Sequence, residues 1–415
     1  MNDSAPVADI VIVGASLVGA PLALVLASQG WQVVLLDAET GEIAPVPSGA
    51  ELEMAEQWDD ASALQQRCTA LSLGTQRWFD RHGLWSAIAG DAAPIFQVSV
   101  SHKGYFGATR LHAHELNADA VGYVVNNTHL ANGILARLAT TTVDHRRGAR
   151  VVSVAHHQDH VEVAVADGSS VRARLLIAAD GVGSVVRESL GIGTTQVDYD
   201  QAAVLTMVRL AQHHQNVAYE RFTDSGPLAL LPRTGSCMNV VDCIEPSEQA
   251  AVGELDDAAY LARLQSRFGF RAGRFTEVGP RLIVPLVRIE ATSQVAARTV
   301  LLGNSARLLH PVGGQGYNLA MRDVEELAER LVNKITGHKQ ASSDADPGDA
   351  QLLSEFVAAR QSDQRQVVRF TDTLARSFRG HSAVAGHIRS AALLGLDAIT
   401  PLRKTFARRT MGLGR

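Results

Sequence analysis

The sequence predicts an α/β chain in which a βαβ-based domain is joined to a second domain built on a β-sheet and followed by a helical C-terminal tail. Three stretches carry that expectation. Near the N-terminus, Asp9–Val13 reads as a β-branched strand, Gly14–Gly19 as a turn, Val18–Ser28 as an Ala/Leu helix and Gln32–Leu36 as a second strand ending at Asp37. From Val197 to about Val287 apolar and polar residues alternate with the period of strands, around one inserted helix, Asp256–Phe268. In Thr299–Asp323 an apolar strand at Val300–Leu302 runs through a loop holding Gly313, Gly314 and Gly316 into a helix whose apolar spacing covers Asn318–Leu331.

Composition bounds the class. A chain of 415 residues is long for one core and suits two domains or one elaborated domain able to bury a large ligand. Hydrophobic residues at 46%, charged residues at 20% and a net charge of −5 describe a globular protein and exclude a basic nucleic-acid binder. Charge is uneven, however: Gly41–Gln66 holds six acidic residues and no Lys or Arg, whereas Arg376–Arg415 holds eight basic residues against Asp397 alone. Cys68, Cys237 and Cys243 lack metal or redox spacing, which suits a reducing cytosol. Ile10–Leu36 is free of charge, but Gly14, Gly19, Pro21, Gly30 and Gln32 interrupt it as strand, turn, helix and strand would, not as a membrane span. The paired histidines His112/His114, His156/His157/His160 and His213/His214 sit in hairpin-like surroundings, and no metal site is expected.

Taken in order, the elements carry recognisable chemistry. The first βαβ unit has the logic of dinucleotide binding, with a pyrophosphate at the helix N-terminus and a carboxylate, Asp37, placed for a ribose diol. The glycine fingerprint is imperfect: Ser16 replaces the middle glycine between Gly14 and Gly19, and its Cβ should push the phosphates outward unless its hydroxyl compensates. A polar, proline-containing loop is expected over Gly41–Gln66. Arg67–Ser72 then leads into an amphipathic helix, Thr75–Arg81, where Arg67 alone is as readily a helix-capping arginine as a ligand contact. Strands are expected at Val98–Thr109 and Gly122–Val125, a helix at Leu130–Leu138 opened by Asn126-Asn127, and a hairpin through Asp167-Gly168 into Val171–Ala179. Leu175–Ala178 is a buried strand ending in the acidic turn Asp180-Gly181, and Tyr219–Pro232 gives two apolar strands around Gly226-Pro227. Gly337–Ala350 reads as a mobile loop between helices, and a helix is expected over Gln351–Arg379. The glycine loop after Leu302 feeds a helix N-terminus, whose free N–H groups make an anion site.

These motifs carry a resemblance. The Gly313–Asn318 loop preceded by His310-Pro311, the Asp180-Gly181 turn with Arg187 behind it, and the phrase Tyr219–Pro232 are similar to those of the FAD-dependent aromatic hydroxylases. The match is narrower to the 2-polyprenyl-6-methoxyphenol hydroxylases of ubiquinone biosynthesis. Gly303-Asn304, where most of the family has Gly-Asp, points to the same branch, and Phe356-Val357, Arg360–Asp363 and Thr371-Asp372 extend the likeness nearly end to end. The resemblance implies a Rossmann-like FAD-binding domain with a β-sheet substrate domain and a C-terminal helical tail. It divides the chain into a discontinuous FAD-binding domain at 1–97, 124–195 and 289–335, a substrate domain at 98–123 and 196–288, a linker at 336–350 and a helical region at 351–415.

It also implies cofactor contacts from Gly14, Ser16, Gly19, Asp37, Arg67, Asp180, Gly181, Gly303, Asn304, Pro311, Gly313, Gly314, Gln315, Gly316 and Asn318. Arg221, Phe222, Leu228, Leu230 and Pro232 are expected to line the substrate pocket; no catalytic base is assigned. Arg307 stands where His or Gln is usual, which with Ser16 and Asn304 bears on how tightly FAD is held. The implied activity is NAD(P)H- and O2-dependent hydroxylation of a polyprenyl phenol. With one dinucleotide-binding N-terminus and no second full domain, NAD(P)H is expected to visit and leave. Ala383–Leu402, aliphatic and followed by Arg403, Lys404, Arg408 and Arg409, is too interrupted to span a bilayer and either lies on a membrane surface or packs on the protein. The expected setting is cytoplasmic, peripheral at the inner membrane and in company with other ubiquinone-biosynthesis enzymes. Three other readings stay open: a hydroxylase of small phenols or aromatic acids anchored by Arg221, a flavin reductase or dehydrogenase, and a non-catalytic flavin-binding scaffold.

Overall fold

A computed structural model describes residues 7–41, 67–336, 345–377 and 383–413. Most of the acidic Gly41–Gln66 segment and the larger part of the expected loop at Gly337–Ala350 lie outside those residues. The helices described are α1 (Gly19–Ser28), α2 (Leu73–Arg81), α3 (Asn127–Leu138), α4 (Val185–Ser189), α5 (Gln249–Gly253), α6 (Asp257–Phe268), α7 (Gln315–Thr336), α8 (Ala350–Ser377), α9 (Ala383–Ala398) and α10 (Thr400–Thr410).

The first sheet is mainly parallel. Its path runs from β18 (Val295–Ala296) through β19 (Thr299–Leu301), β11 (Ser170–Ala178), β1 (Ala8–Val13) and β2 (Val33–Asp37) to β8 (Asp144–Arg147). β19, β11, β1, β2 and β8 pair in parallel, and the hairpin β9 (Val151–His156) and β10 (Val161–Val165) attaches to β11 antiparallel. The central strands read as unbroken apolar runs because both faces are buried. Ile10, Ile12, Leu35, Leu175 and Ile177 pack with Leu22 and Leu26 of α1 and Val324 and Leu327 of α7, while Val11, Val13, Val34, Leu36 and Leu176 pack with Val161, Val163 and Val186.

The second sheet runs β20 (Arg307–Leu308), β17 (Leu282–Ala291), β12 (Thr194–Leu210), β15 (Cys237–Ile244), β14 (Gly226–Pro232), β13 (Val217–Thr223), β5 (Gln97–His102) and β6 (Ala108–His112), with β16 (Phe275–Val278) joined to β12. One face is covered by α6. A short antiparallel sheet is formed by β3 (Cys68–Ser72), β7 (Gly122–Asn126) and β4 (Ala93–Ile95), with β7 in the centre.

Two local expectations change. Val98–Thr109 is not one strand but the antiparallel pair β5 and β6, since Gly104 (φ 82°) turns the chain between them. Between β13 and β14 the turn falls at Asp224-Ser225, one step before Gly226-Pro227; Gly226 pairs with Thr223 as the first strand residue.

α7 is tied to α8 by a buried charge network. Asp323, 1% exposed, accepts from Arg360 Nε at 2.7 Å, Arg307 at 2.9 Å and the Gln364 amide at 3.0 Å, with the Gln294 amide at 3.3 Å. Removing one partner of such a group leaves an uncompensated charge in the interior. Asp323→Ala is therefore expected to cost about 3–5 kcal/mol, read as a lowered urea midpoint with an unchanged m-value; a loss below about 1 kcal/mol would contradict the role given to the network.

Candidate functional site

The site begins at one edge of the parallel sheet. Gly14 N–H donates to Leu36 O, Ala179 N–H to Val13 O and Leu302 N–H to Ala178 O, each at 2.8 Å, so the C-terminal ends of β2, β1, β11 and β19 are tied in succession. The loops leaving these ends open onto a cavity of about 1260 Å³, at the position where open α/β sheets take their ligands.

The first turn is tightly set. Gly14 holds φ 101°, and a Cβ there would meet Ala179 O at 2.5 Å; a Cβ on Gly19 would meet Gly14 O at 2.0 Å. Gly19 thus supports the turn from beneath, while Gly14 and Ser16 line the cavity. The Ser16 hydroxyl points to Ala179 O at 3.4 Å, a marginal bond that keeps it close to the rim. Asp37, at the end of β2, also lines the cavity beside Arg147 and Arg150. Burial opposes its charge, but hydrogen bonds from His145 and the Glu39 N–H outweigh burial and hold the carboxyl below its ordinary range.

Asp180, Gly181, Gly303 and Asn304 form the next part of the wall. Burial pushes the Asp180 carboxyl up; Oδ2 accepts from Val186 N–H at 3.2 Å, and Oδ1 has no partner among the described residues. Arg187 turns inward, donating to Ser305 O at 3.0 Å and Val182 O at 2.7 Å, and so staples the turn. Arg67 lines the cavity just ahead of β3, and its carbonyl accepts Asn127 N–H at 2.9 Å, which places it at a strand start and not at a helix cap.

Pro311, Gly313, Gly314, Gln315, Gly316 and Asn318 complete the loop side. Gly313 and Gly314 hold φ of 70° and 59°, and nothing lies within 4 Å of where a Gly316 Cβ would stand. The backbone here is bare to the cavity. Asn318 is spent on the scaffold: its amide donates to Ala70 O and Gly314 O, and its Oδ1 accepts from Ser72 N–H and the Thr75 hydroxyl. Arg307 points away from the cavity into the Asp323 network.

The second sheet roofs the cavity, and on β14 the parity is the opposite of the one expected. Ala218, Glu220 and Phe222 of β13, Ala229 and Leu231 of β14, Val241 of β15, Val98 and Val100 of β5, and Thr109 and Leu111 of β6 face it. Of the expected pocket residues only Phe222 lines the cavity. Leu228 and Leu230 are wholly buried on the other face with Tyr260, Leu264 and Phe268 of α6; Pro232 lies on that face too, and Arg221 reaches Ser101 Oγ at 3.3 Å. The physical reason is the strand period of two, which sends Leu228 and Ala229 to opposite sides.

The C-terminal helices close the remaining side. Phe370 and Leu374 of α8, Leu393 and Leu396 of α9, and Phe406, Thr410 and Met411 at α10 line the cavity. α9 is pinned to the β5–β6 hairpin: Gly107 N–H donates to Ser390 Oγ at 2.7 Å, Thr109 Oγ1 to Leu393 O at 2.6 Å and Arg110 N–H to Asp397 at 2.8 Å. Arg403 of α10 bonds Glu115 at 3.0 Å. The sequence signal for this wall was the aliphatic run itself; Glu220 was visible as the one charge on an otherwise apolar strand face.

A glycine turn under a helix N-terminus, a carboxylate at the second strand end, an orphaned oxygen on Asp180 and a bare glycine cradle fit a group with a pyrophosphate, a ribose and a flat ring. Comparison with known proteins agrees with that shape. Residues 7–371 match the family described as FAD binding domain. The chain is 35% identical over 413 residues to the ubiquinone hydroxylase UbiL of Rhodospirillum rubrum, covering 98% of this chain and 90% of the relative. It is 26% identical over 407 residues to the 3-demethoxyubiquinol 3-hydroxylase of Escherichia coli K12, covering 98% of each. Among solved structures the p-nitrophenol 4-monooxygenase PnpA of Pseudomonas putida DLL-E4 superposes with a TM-score of 0.75 at 20% identity over 98% of each chain, a likeness of fold.

His310 lends the site a pH dependence. It is 1% exposed; Nδ1 accepts from Val312 N–H at 3.1 Å, which leaves the ring proton on Nε2, without a partner among the described residues. Burial brings its pKa from 6.5 down to about 4. Above pH 6.5 both folded and unfolded chains hold it neutral; as pH falls toward 4 only the unfolded chain takes up the proton, and stability is lost by an amount on the order of 3 kcal/mol. Urea midpoints of His310→Gln measured from pH 7 to 4 are expected to lack this part of the decline; a decline parallel to that of the unsubstituted protein would contradict it. The parity of the roof has its own test: Leu230→Ala should cost about 2–5 kcal/mol, and Leu231→Ala, already facing a cavity, distinctly less.

Proposed function

We propose that this chain, which belongs to the FAD binding domain family and is an FAD-dependent monooxygenase, hydroxylates the aromatic ring of a polyprenyl phenol in ubiquinone biosynthesis, converting a 2-polyprenyl-6-methoxyphenol to the corresponding 1,4-benzoquinol with NAD(P)H and O2. The observation that carries the reading is the continuity of one cavity, which runs from Gly14 and Asp37 past Gly313–Gly316 to an apolar chamber between the second sheet and the C-terminal helices.

Bound FAD, reduced by NAD(P)H, would supply the activation of O2, one atom of which is transferred to the ring. The Gly14–Val18 turn and α1 would hold its pyrophosphate, Asp37 its ribose, and Asp180-Gly181, Gly303-Asn304 and Arg67 its middle portion. The N–H groups of Gln315 and Gly316 at the start of α7 would favour negative charge on the flat ring. Ser16, held near the rim, is compatible with this arrangement. Val98, Val100, Leu231, Val241, Phe406 and Met411 keep the chamber apolar, which excludes water and orients a ring whose phenolic oxygen donates electron density to the para carbon. The domain division at 98, 124, 196, 289, 336 and 351 is proposed on the same footing; its boundaries at 98, 124, 196 and 289 fall inside β5, β7, β12 and β17, strands that pass from one part to the other.

The tail supports a lipid-borne substrate. Ile388 (65% exposed), Leu394, Ile399 and Leu402 face outward, and Phe106 at the tip of the neighbouring hairpin is 97% exposed. The exposed basic residues Lys404, Arg408 and Arg409 follow on α10. Leu393 and Leu396 of the same α9 line the chamber, so a prenyl chain could pass from an anionic membrane surface to the site along apolar side chains. No described helix is long and apolar enough to cross a membrane. Arg221 lies off the cavity, and thus lends nothing to the small-acid alternative.

Reconstitution with FAD tests the reading. A short-chain 2-prenyl-6-methoxyphenol should accelerate flavin reduction by NAD(P)H without air, and in air should yield the quinol in proportion to NAD(P)H consumed. Protein that cannot retain or rebind flavin, or that oxidises NAD(P)H with hydrogen peroxide as the sole product at saturating phenol, would contradict it.

A further inference from the structure

Glu220 stands alone among the cavity-facing positions of the second sheet. On its own strand it lies between Ala218 and Phe222; its cross-strand partners are Val100 on β5 and Ala229 on β14, and Val241 on β15 pairs with Ala229 in turn. All of these line the chamber. A carboxyl group in such surroundings is costly unless something uses it. A hydrogen bond from the backbone N–H of Gly313 in the glycine cradle reaches it; Oε1 is buried and has no partner among the described residues.

We propose that Glu220 is the catalytic base of the site, its free Oε1 taking the proton of the phenolic hydroxyl while the ring is oxygenated. The proposal rests on the phenol hydroxylase reading above and adds the residue that reading lacks. In the step, the substrate O–H bond breaks and a Glu220 O–H bond forms. The electron pair stays on the phenolic oxygen and passes into the ring, raising density at the para carbon where oxygen adds. As the ring regains aromaticity the para C–H bond breaks and its proton leaves with the second oxygen atom of O2 as water, the electrons for which come from NAD(P)H; the proton held by Glu220 returns to the phenolic oxygen of the product, and the carboxylate is restored.

Two observations support the role. The first is position: Glu220 bridges the cradle, through Gly313, and the chamber, through its strand face, so it meets the two places the reaction must bring together. The second is tuning. Burial pushes its pKa up to about 7, against the weaker opposing effect of the Gly313 bond. That is close to the value at which a carboxylate is both ionised at neutral pH and a competent proton acceptor. The groups around it leave this setting undisturbed. β5, β14 and β15 present apolar side chains; the nearby Cys243 thiol is pushed well up by its own burial and stays protonated. His310, also on the cavity wall, is held neutral by burial at about 4.

The test uses full-length, FAD-loaded protein and two readouts. In binding, without reductant, the affinity for 2-methoxy-6-prenylphenol should rise as pH increases through about 7, because the ionised carboxylate accepts the phenolic hydrogen bond. The methyl ether of the same compound should show no such dependence, nor should Glu220→Gln with the phenol. In turnover, Glu220→Gln should lose roughly 10²-fold in kcat/KM together with the acid limb near pH 7, and Glu220→Asp should restore part of the rate with a displaced limb. If the unsubstituted protein hydroxylates the phenol and Glu220→Gln, with normal FAD content and melting temperature, matches it in rate and pH profile, Glu220 is not the base. If the unsubstituted protein neither binds nor hydroxylates the phenol, the function reading fails and the proposal fails with it.

Discussion

Everything at the cavity's closed end hangs on how nearly two backbone turns touch. The turn at Gly14 passes so close to Ala179 that a single Cβ would stand 2.5 Å from its carbonyl oxygen. The three 2.8 Å hydrogen bonds from Gly14, Ala179 and Leu302 then lock four strand ends into one rim. That rim fixes where α1 starts, where Asp37 and Asp180 point, and how far Gly303 lies from Val18. Tyr317 of α7 donates to Leu17 O at 2.9 Å, which brings the glycine cradle to the same rim. A ligand spanning from pyrophosphate to flat ring is thereby measured out by backbone geometry before any side chain contributes.

What the sequence revealed follows from how local each signal is. The βαβ unit, the Asp180-Gly181 turn and the glycine cradle were legible because strand, turn and helix start all fall within a few residues of one another. Helix α3 was legible from Asn126, whose side chain caps it by accepting from Thr128 and His129 N–H. The roof was not, because both faces of its sheet are apolar. Leu228 and Leu230 bury against α6 while Ala229 and Leu231 face the chamber, and hydropathy has nothing with which to choose between the two parities. Glu220 carried the missing sign, for a charge cannot lie among Tyr260, Leu264 and Phe268 without a partner.

Residues with distant partners form a second class. Arg307 departs from the usual residue of the resemblance, yet its side chain binds Asp323 and is not among the groups lining the cavity, so it bears on the joint between α7 and α8. Arg187 and Asn318 likewise hold loops in place through backbone groups more than one hundred residues away, the Ser305 carbonyl and the Ser72 N–H. The tail follows the same logic. Its inner side, with Leu393, Leu396 and Phe406, forms a chamber wall; its outer side, with Ile388 and Leu402, carries exposed apolar and basic groups. The sequence offered membrane surface or packed helix as alternatives, and α9 packs on β6 while keeping an outer face that suits a lipid surface.

The proposed reaction directs an oxygen atom from O2 to a phenolic ring inside an apolar chamber. Its most direct test is the source of the new oxygen. Turnover of 2-methoxy-6-prenylphenol under ¹⁸O2 in ordinary water should place one ¹⁸O atom in each molecule of quinol, and turnover under ordinary O2 in H2¹⁸O should place none by the enzymatic step. Quinol whose new oxygen comes from water, or consumption of NAD(P)H with no labelled quinol, would contradict the account.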